Sequence, residues 1–326
     1  MDDRMLHEYR RDPDPRFARD LRERLRRLEE RRPLAARGVV RLAAVVAGVA
    51  VVAALFAIPS VRVSAQSFLE LFRVRRFAAV PFSESRFETL RSLEQGKDHG
   101  LLVLDREETV LDPGPMRYVP SREAAAPEAG FAVSAPSYLP EGLAADSVFV
   151  VGAGAMRLSF SEAKLRAVLQ RLDLNDVQVP SGLDGHWIEV KKPPMVFQKF
   201  RSPRSRRAML VQARSPEVSV PAGWDVERLA EIGLRVLGLD AGEANRIARS
   251  TDWRSTLLVP VPMNASTFRQ VTVHGQPGLL ITTVDRGPDQ RRREGAVLMW
   301  TEGERVFCLQ GNLTGRDLMQ MAESVS

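Results

Sequence analysis

Four apolar runs near the C-terminus decide the fold class: FRQVTV (268–273), GLLITTV (278–284), AVLMWT (296–301) and RVFCLQ (305–310). They are rich in β-branched and aromatic residues, which favour strands. Short turn-forming stretches follow the first and the third run, at 274–277 and 302–304, and link strands as hairpins. Strands joined in this way pair antiparallel, so the sequence predicts an α+β domain dominated by antiparallel sheet, with flanking helices, rather than a doubly wound parallel sheet.

More strands and several helices are predicted upstream of this cluster. Residues 66–95 are predicted to be helical on either side of an extended stretch at 74–82, and the Gly-, Pro- and acid-rich stretch 96–128 is predicted to be a linker or long loop. Helical spacing is present at Glu162–Arg171, Val226–Val236, 242–249 and 314–324, the last with Thr314 as N-cap. Strand patterns are present at 131–134, 147–151, 157–160, 186–190, 195–200, 208–214 and 256–261.

The stretch 42–61, LAAVVAGVAVVAALFAIPSV, carries no charge. About 20 apolar residues in a helix span the hydrocarbon layer of a membrane, so the sequence predicts one transmembrane helix within residues 38–61. The segment before it is dense in arginine, including Arg37 and Arg41 next to the run. Arginine-rich short flanks stay cytoplasmic, so we expect a cytoplasmic N-terminus and an extracytoplasmic C-terminal domain in the cell membrane.

A cleaved secretory signal is the alternative for the same stretch. Val63-Ser64-Ala65 fits the pattern of small residues that precedes a cleavage site. The leader of about 40 residues and the long apolar run exceed the ~7–15 residues of a usual signal core. These lengths favour an uncleaved anchor and leave cleavage after Ala65 as the competing possibility.

The cytoplasmic tail, residues 1–37, is predicted to contain one amphipathic helix. Asp14 fits an N-cap and Pro15 the first helical position. A narrow apolar stripe follows at Phe17, Leu21, Leu25 and Leu28, on an otherwise charged helix. A lone helix of this kind has no core of its own, so the stripe is predicted to bind a cytoplasmic partner, and the alternatives are a helix that lies on lipid headgroups or a frayed tail.

Composition and motifs argue against an enzyme, a metal site or a cofactor site. The four histidines are scattered, and the single cysteine, Cys308, lies in an apolar run where a buried thiol is expected. The glycines of 152–154 lack the third glycine of a dinucleotide loop, and Asp184 with His186 is explained by a turn before a strand. The net charge of +6 comes largely from arginines near the membrane, so no direct nucleic-acid binding is expected.

Two motif clusters resemble a known bacterial domain. The first is AGFAVSAPSYLPEG at 129–142, and the second comprises 273–275, 298–303, 309–314 and 321–324. They resemble the two ends of the extracytoplasmic domain called domain of unknown function 4367, which occurs in single-pass, anti-sigma-factor-like membrane proteins. The resemblance implies a cytoplasmic sigma factor as a candidate partner, and no catalytic residues. The His-x-x-x-Cys-x-x-Cys motif of zinc-type anti-sigma factors does not occur in the tail.

The chain is therefore divided into a cytoplasmic helical tail (1–37), a transmembrane helix (38–61), a juxtamembrane helical region with a linker (62–128) and an extracytoplasmic α+β domain (129–326). Two functions follow. In the first, the protein is a transmembrane regulator whose outer domain senses or binds an envelope signal and whose tail holds a partner. In the second, it is a membrane-anchored envelope binding or structural module without a regulatory partner. The extracytoplasmic ligand is not identified by any residue pattern.

Overall fold

A computed structural model describes residues 74–94, 103–203, 205–262, 266–286 and 292–326. Their helices are α1 (Glu84–Glu94), α2 (Arg122–Ala129), α3 (Glu162–Arg171), α4 (Val226–Val236), α5 (Ala241–Ser250) and α6 (Gly315–Ala322). Their strands are β1 (Arg76–Phe82), β2 (Leu104–Leu111), β3 (Arg117–Val119), β4 (Ala144–Val151), β5 (Gly154–Phe160), β6 (Trp187–Lys192), β7 (Met195–Arg201), β8 (Arg207–Arg214), β9 (Glu217–Ser219), β10 (Thr256–Pro262), β11 (Ser266–Val273), β12 (Gln276–Arg286), β13 (Arg292–Glu302) and β14 (Arg305–Gly311).

An eight-stranded antiparallel sheet forms the centre, in the order β11-β12-β13-β14-β8-β7-β4-β3. The four predicted C-terminal runs are its four consecutive strands β11 to β14, which confirms the antiparallel α+β prediction. Leu280, Leu298, Leu309 and Leu210 lie directly opposite one another on four adjacent strands. Cross-strand neighbours share a face of the sheet, so these leucines form one continuous apolar row.

One face of the sheet, which we call the helix-covered face, carries this row together with Trp300 and Phe307. The two rings stack with centroids 4.9 Å apart and planes 9° apart. Leu318 and Met321 of α6 belong to the same buried cluster, and Thr314 caps that helix by accepting a hydrogen bond from the backbone N–H of Asp317. At the other end of the face, α2 buries small alanines against strands β3, β4 and β7.

The opposite face is covered over β11–β13 by a two-stranded parallel pair, β1 and β10. Gln270 donates from Nε2 to the Phe77 carbonyl oxygen (3.0 Å), and Thr301 donates to the Arg75 carbonyl oxygen (3.4 Å). Leu279 is fully buried on this face. Strands β12 and β13 are thus covered on both faces, which explains why their sequences are continuous apolar runs.

A second, four-stranded antiparallel sheet has the order β2-β5-β6-β9. Leu158, Ile188 and Val218 are fully buried in it. Helix α3 is joined to β2 by Lys164, whose Nζ donates to the Leu104 carbonyl oxygen (2.9 Å). Helix α4, in turn, is tied to the segment after α3 by an ion pair between Arg235 and Asp176 at 2.8 Å.

Two local predictions are wrong. The described part of the predicted linker 96–128 contains β2, β3 and most of α2, because β2 pairs with β5 and β3 with β4, far along the chain. The predicted strand 131–134 is an extended segment outside the named strands, whose backbone is bound by side chains. Residues 74–94 and 103–128 therefore belong to the same compact unit as 129–326.

No helix in the described part of the chain is long and apolar enough to cross a membrane. The predicted transmembrane stretch 42–61 lies outside the described residues, as do the predicted helical residues 67–72. The other helices predicted from spacing, over Glu162–Arg171, Val226–Val236, 242–249 and 314–324, are confirmed as α3, α4, α5 and α6 to within two residues at each end.

Replacing Trp300 with Ala is expected to lower the free energy of unfolding by about 3–5 kcal/mol, because the ring is fully buried and stacked. Urea denaturation monitored by circular dichroism measures the change. Trp187→Ala is the matched control, since Trp187 lies on β6 with 36% of its surface exposed and should lose much less. Equal losses for the two variants would contradict a core built around Trp300.

Candidate functional site

The predicted partner-binding residues Phe17, Leu21, Leu25 and Leu28 lie outside the described residues, so their role stays a prediction. Among the described residues, the two motif clusters that carry the family resemblance come together in space. Pro136 pairs with Val325 in an isolated β-bridge, and Ala135 and Ser326 exchange two backbone hydrogen bonds of 3.1 Å. The structure thus places the start and the end of the 129–326 region side by side. We call this place the junction.

Buried amide side chains fix the junction on the helix-covered face. The Ser134 carbonyl oxygen accepts hydrogen bonds from Gln198 and from Gln212, each at 2.6 Å, and its N–H donates to Gln212 Oε1 at 3.0 Å. Gln212 is fully buried and Gln198 nearly so. Unpaired buried amides would destabilise the fold, so this pairing locks residues 131–135 across the sheet.

Arg305 connects the apolar stack to the junction. Its guanidinium lies over the Phe307 ring at 5.0 Å from the centroid and donates to Ser134 Oγ (3.0 Å) and to the Ala132 carbonyl oxygen (3.1 Å). Stacking on an aromatic ring while donating in its plane suits the planar guanidinium of arginine and would not suit lysine. The positive charge is therefore held in one orientation.

An open cavity of about 500 Å³ lies beside Arg305. Its wall combines apolar surface, charged side chains from the first turn of α2, and the extended segment. Hydrogen bonds from the Ser121 side chain, from its own backbone N–H and from Arg122 lower the pKa of Glu123 to about 2, so this carboxylate is ionised at neutral pH. The lining residues are Arg122, Glu123, Ala126, Phe131, Ala132, Val133, Ser134, Arg305 and Ser326. Apolar surface next to fixed charges suits the cavity to binding an amphipathic molecule.

At the end of the sheet next to the junction, His274 forms a hydrogen-bonded cluster with Glu302 and Glu323. His274 bonds through Nδ1 to Glu302 Oε1 (2.6 Å) and through Nε2 to the Glu323 carbonyl oxygen (2.9 Å). Trp300 Nε1 donates to the same Glu302 oxygen at 2.9 Å. The hydrogen bond to the Glu323 backbone and the charges of the two glutamates raise the pKa of His274, against the opposing effect of burial. The cluster joins the β11–β12 turn to the end of α6.

The remaining sequence candidates have structural roles. Asp184 accepts a hydrogen bond from the Glu162 N–H at the start of α3 (2.8 Å). Gly152 lies between β4 and β5, and a Cβ atom there would come within 2.8 Å of the Pro113 carbonyl oxygen, so close backbone approach explains that glycine. Burial raises the pKa of Cys308 to about 12, which keeps its thiol protonated. Within the described ranges, no group of three or more His, Cys, Asp or Glu side chains is placed to hold a metal ion.

The sequence interpretation missed Ser134, Gln198, Gln212 and Arg305. A signal was present: Gln198 lies two residues from the buried Val196 and Phe200, and Gln212 lies two residues after the buried Leu210. A polar side chain that points to the buried face of a strand needs a hydrogen-bond partner, and this rule would have identified both glutamines. The partner itself could not be named, because Ser134 lies far away in sequence.

Comparisons with models of protein families, with curated proteins and with solved structures find no match to this chain. The resemblance to an anti-sigma-factor-like family therefore rests on the two motif clusters alone.

Replacing His274 with Asn is expected to lower stability more at pH 5.5 than at pH 8.5. A raised pKa means that the folded state binds the proton more tightly, so the stabilisation is complete below the unfolded value near 6.5 and is lost as pH rises through the folded pKa. Asn tolerates the positive φ of 50° at this position, which separates titration from backbone strain. Urea unfolding of both proteins at the two pH values tests this, and an effect independent of pH would contradict the coupling.

Proposed function

We propose that this chain is a single-pass membrane protein that acts as a transmembrane regulator of the anti-sigma-factor-like type. The observation that carries the proposal is the uncharged run 42–61, with an arginine-rich segment before it and the α+β elements of residues 76–322 after it. One apolar helix of this length is enough to anchor a chain, and the arginine bias orients it with the N-terminus in the cytoplasm.

The outer unit is proposed to bind an envelope signal at the junction. The cavity beside Arg305 supports this, because it combines an apolar wall with charges held by hydrogen bonds. Binding there would alter the contact between residues 131–135 and the C-terminal segment, because residues of both segments line the cavity. A ligand can shift a conformational equilibrium only through such differential contacts.

The tail is proposed to pass the signal on by holding a cytoplasmic partner through Phe17, Leu21, Leu25 and Leu28. The family resemblance names a sigma factor as the candidate. Each buried Leu or Phe side chain contributes roughly 1.5–3 kcal/mol, so four together are sufficient for micromolar binding after the cost of association.

The second candidate is a membrane-anchored envelope binding or structural module. It is favoured by the tail, which offers one narrow stripe and lacks the zinc-binding motif of a full sigma-binding domain. In this alternative the anchor and the outer unit keep their roles, but the stripe binds no protein and its arginines rest on lipid.

Reporter fusions test the topology. A reporter that is active only outside the cytoplasm should be active when fused after Ser326 and inactive when fused at residue 35, because the arginine-rich tail stays inside. The opposite pattern would overturn the orientation. Mass spectrometry of the membrane fraction should find the intact chain, whereas loss of about the first 65 residues would show cleavage after Ala65.

Capture with the tail tests the regulator. A bait of residues 1–37 is expected to retain a sigma factor from cell extract, and Leu21→Glu with Leu25→Glu should abolish its capture by placing charges in the stripe. Arg19→Glu with Arg26→Glu is the matched control, because it puts two glutamates on the opposite side of the predicted helix.

The two variants separate the alternatives. A protein partner should be lost with the leucine pair and kept with the arginine pair, whereas attachment to lipid should weaken with salt and with the arginine pair. If no protein is retained by the native tail and lost by the leucine variant, the regulator proposal is wrong. The anchored module is then the function that remains.

A further inference from the structure

Half of one sheet face is apolar but only partly buried. On the face opposite to the helix-covered one, Tyr118 pairs with Phe149, Phe149 with Phe197, and Phe197 with Val211. Met209 follows two residues before Val211 and points to the same side. We call these five residues the open half-face. Tyr118 is 64% exposed and the other four are partly exposed.

The open half-face is unusual because the other half of the same sheet face is covered. Over β11–β13 the strands β1 and β10 cover the sheet, and Leu279, Ile281 and Met299 are buried there. An antiparallel sheet face that stays in water normally carries polar side chains. A contiguous apolar face that is not covered marks a surface that meets a protein or a membrane. Three further exposed apolar residues, Val110 and Leu111 at the end of β2 and Met116, lie two to eight residues before Tyr118 in the chain.

A basic hairpin borders the open half-face. The stretch 199–207, KFRSPRSRR, which joins β7 to β8, contains five cations and no acid. Lys199 Nζ lies 4.1 Å from the centroid of the Phe149 ring. Arg201 and Arg207 lie directly opposite each other, and like charges in that position repel.

The charge of this hairpin is only partly compensated. Arg201 pairs with Asp146 at 3.3 Å, and Arg206 pairs with Asp317 of α6 at 2.5 Å. Among the described residues, neither Lys199 nor Arg207 has an acidic side chain within ion-pair distance. An external anion next to the apolar surface would relieve the repulsion. An apolar surface with a cationic border is the combination that binds anionic lipid headgroups.

The chain enters the unit on the same sheet face as the open half-face, and this brings the surface close to the proposed membrane anchor. Val74, the first described residue, donates from its N–H to Ser215 Oγ (2.8 Å), just after β8. Arg75 then contacts Thr301, on the same sheet face as the open half-face. The stretch 62–73 between the apolar run and Val74 spans at most about 40 Å even when fully extended. Such a short connection keeps the face at a high effective concentration near the bilayer.

We propose that the open half-face and the 199–207 hairpin dock on the anionic lipid surface of the membrane in which residues 42–61 are anchored. The inference rests on the membrane anchoring in the proposed function. Apolar side chains enter the headgroup region, and the cations meet phosphate groups. Neither the apolar contact nor the attraction between charges is strong alone, and attachment to lipid is stable when the two act together.

The test uses the full chain, with Cys308→Ala, reconstituted in vesicles. Met209→Cys carries an NBD label, and Tyr138→Cys, at a residue that is 44% exposed beside the end of α6 on the helix-covered side, carries the same label as the control. In vesicles with about a third phosphatidylglycerol, the emission at position 209 should rise about threefold or more and should be quenched by nitroxide-labelled lipid. In phosphatidylcholine alone, or in about 0.5 M NaCl, both effects should be lost. The label at position 138 should respond to neither.

Charge reversal supplies the second measurement. Lys199→Glu with Arg207→Glu should lower the ratio of docked to free unit about 25-fold or more, at about fivefold for each lost cation. Arg246→Glu with Arg249→Glu, both exposed on α5, makes the same charge change and should leave docking unaltered. Thermal unfolding of both variants checks that the fold is kept.

The outcomes are distinguishable. A chain that resists carbonate extraction but whose label at position 209 is not quenched by lipid overturns the docking and keeps the anchor. Emission that rises without lipid quenching shows a protein, or a second copy, on the half-face, and also overturns it. If carbonate extracts the chain, the anchor fails, and quenching at position 209 on adding vesicles to the extracted chain decides the docking by itself.

Discussion

The structure depends on the burial of one face of the eight-stranded sheet beneath its own C-terminal helix. The Leu280–Leu298–Leu309–Leu210 row and the Trp300–Phe307 stack lie on that face, and α6 covers them. Buried Leu and aromatic side chains are the largest sources of stability in a domain without disulfides. Because the helix follows β14 directly, the sheet and its cover form one continuous segment with short connections.

The polar junction is tied to the same core. Arg305 lies on Phe307, Trp300 donates to Glu302, and Glu302 contacts His274, so each polar group is positioned by an aromatic ring or by a neighbour of one. The cavity beside Arg305 and the His274 cluster are thus two parts of one network at the end of the sheet, and a change at either is expected to reach the C-terminal segment.

The two faces of the sheet suit different tasks. The helix-covered face supplies a rigid core with a binding cavity at its edge, and the opposite face offers an apolar surface bordered by arginine and lysine. In a membrane-anchored chain the first would meet a soluble signal and the second the bilayer. A unit held flat on lipid would present the cavity side away from the membrane, which is the orientation that the proposed envelope sensor needs.

The sequence by itself determined the elements whose signals are local. The alternating and continuous apolar runs of 268–310 predicted β11–β14, helical spacing predicted α3 to α6, and Thr314 predicted the start of the last helix. These succeed because hairpin pairing and N-capping act between residues a few positions apart. Trp300, in the middle of such a run, was correctly expected in the core.

Only the tertiary structure decided the long-range pairings. The acid- and proline-rich stretch 104–129 carries no local strand pattern. Its strand β2 is exposed along most of its length and forms only because it pairs with β5, about fifty residues later. The parallel pairing of β1 with β10, the bonding of Ser134 by Gln198 and Gln212, and the uncovered half of one face follow in the same way. Each depends on which distant segments the packed sheet brings together, and local propensity carries no information on that choice.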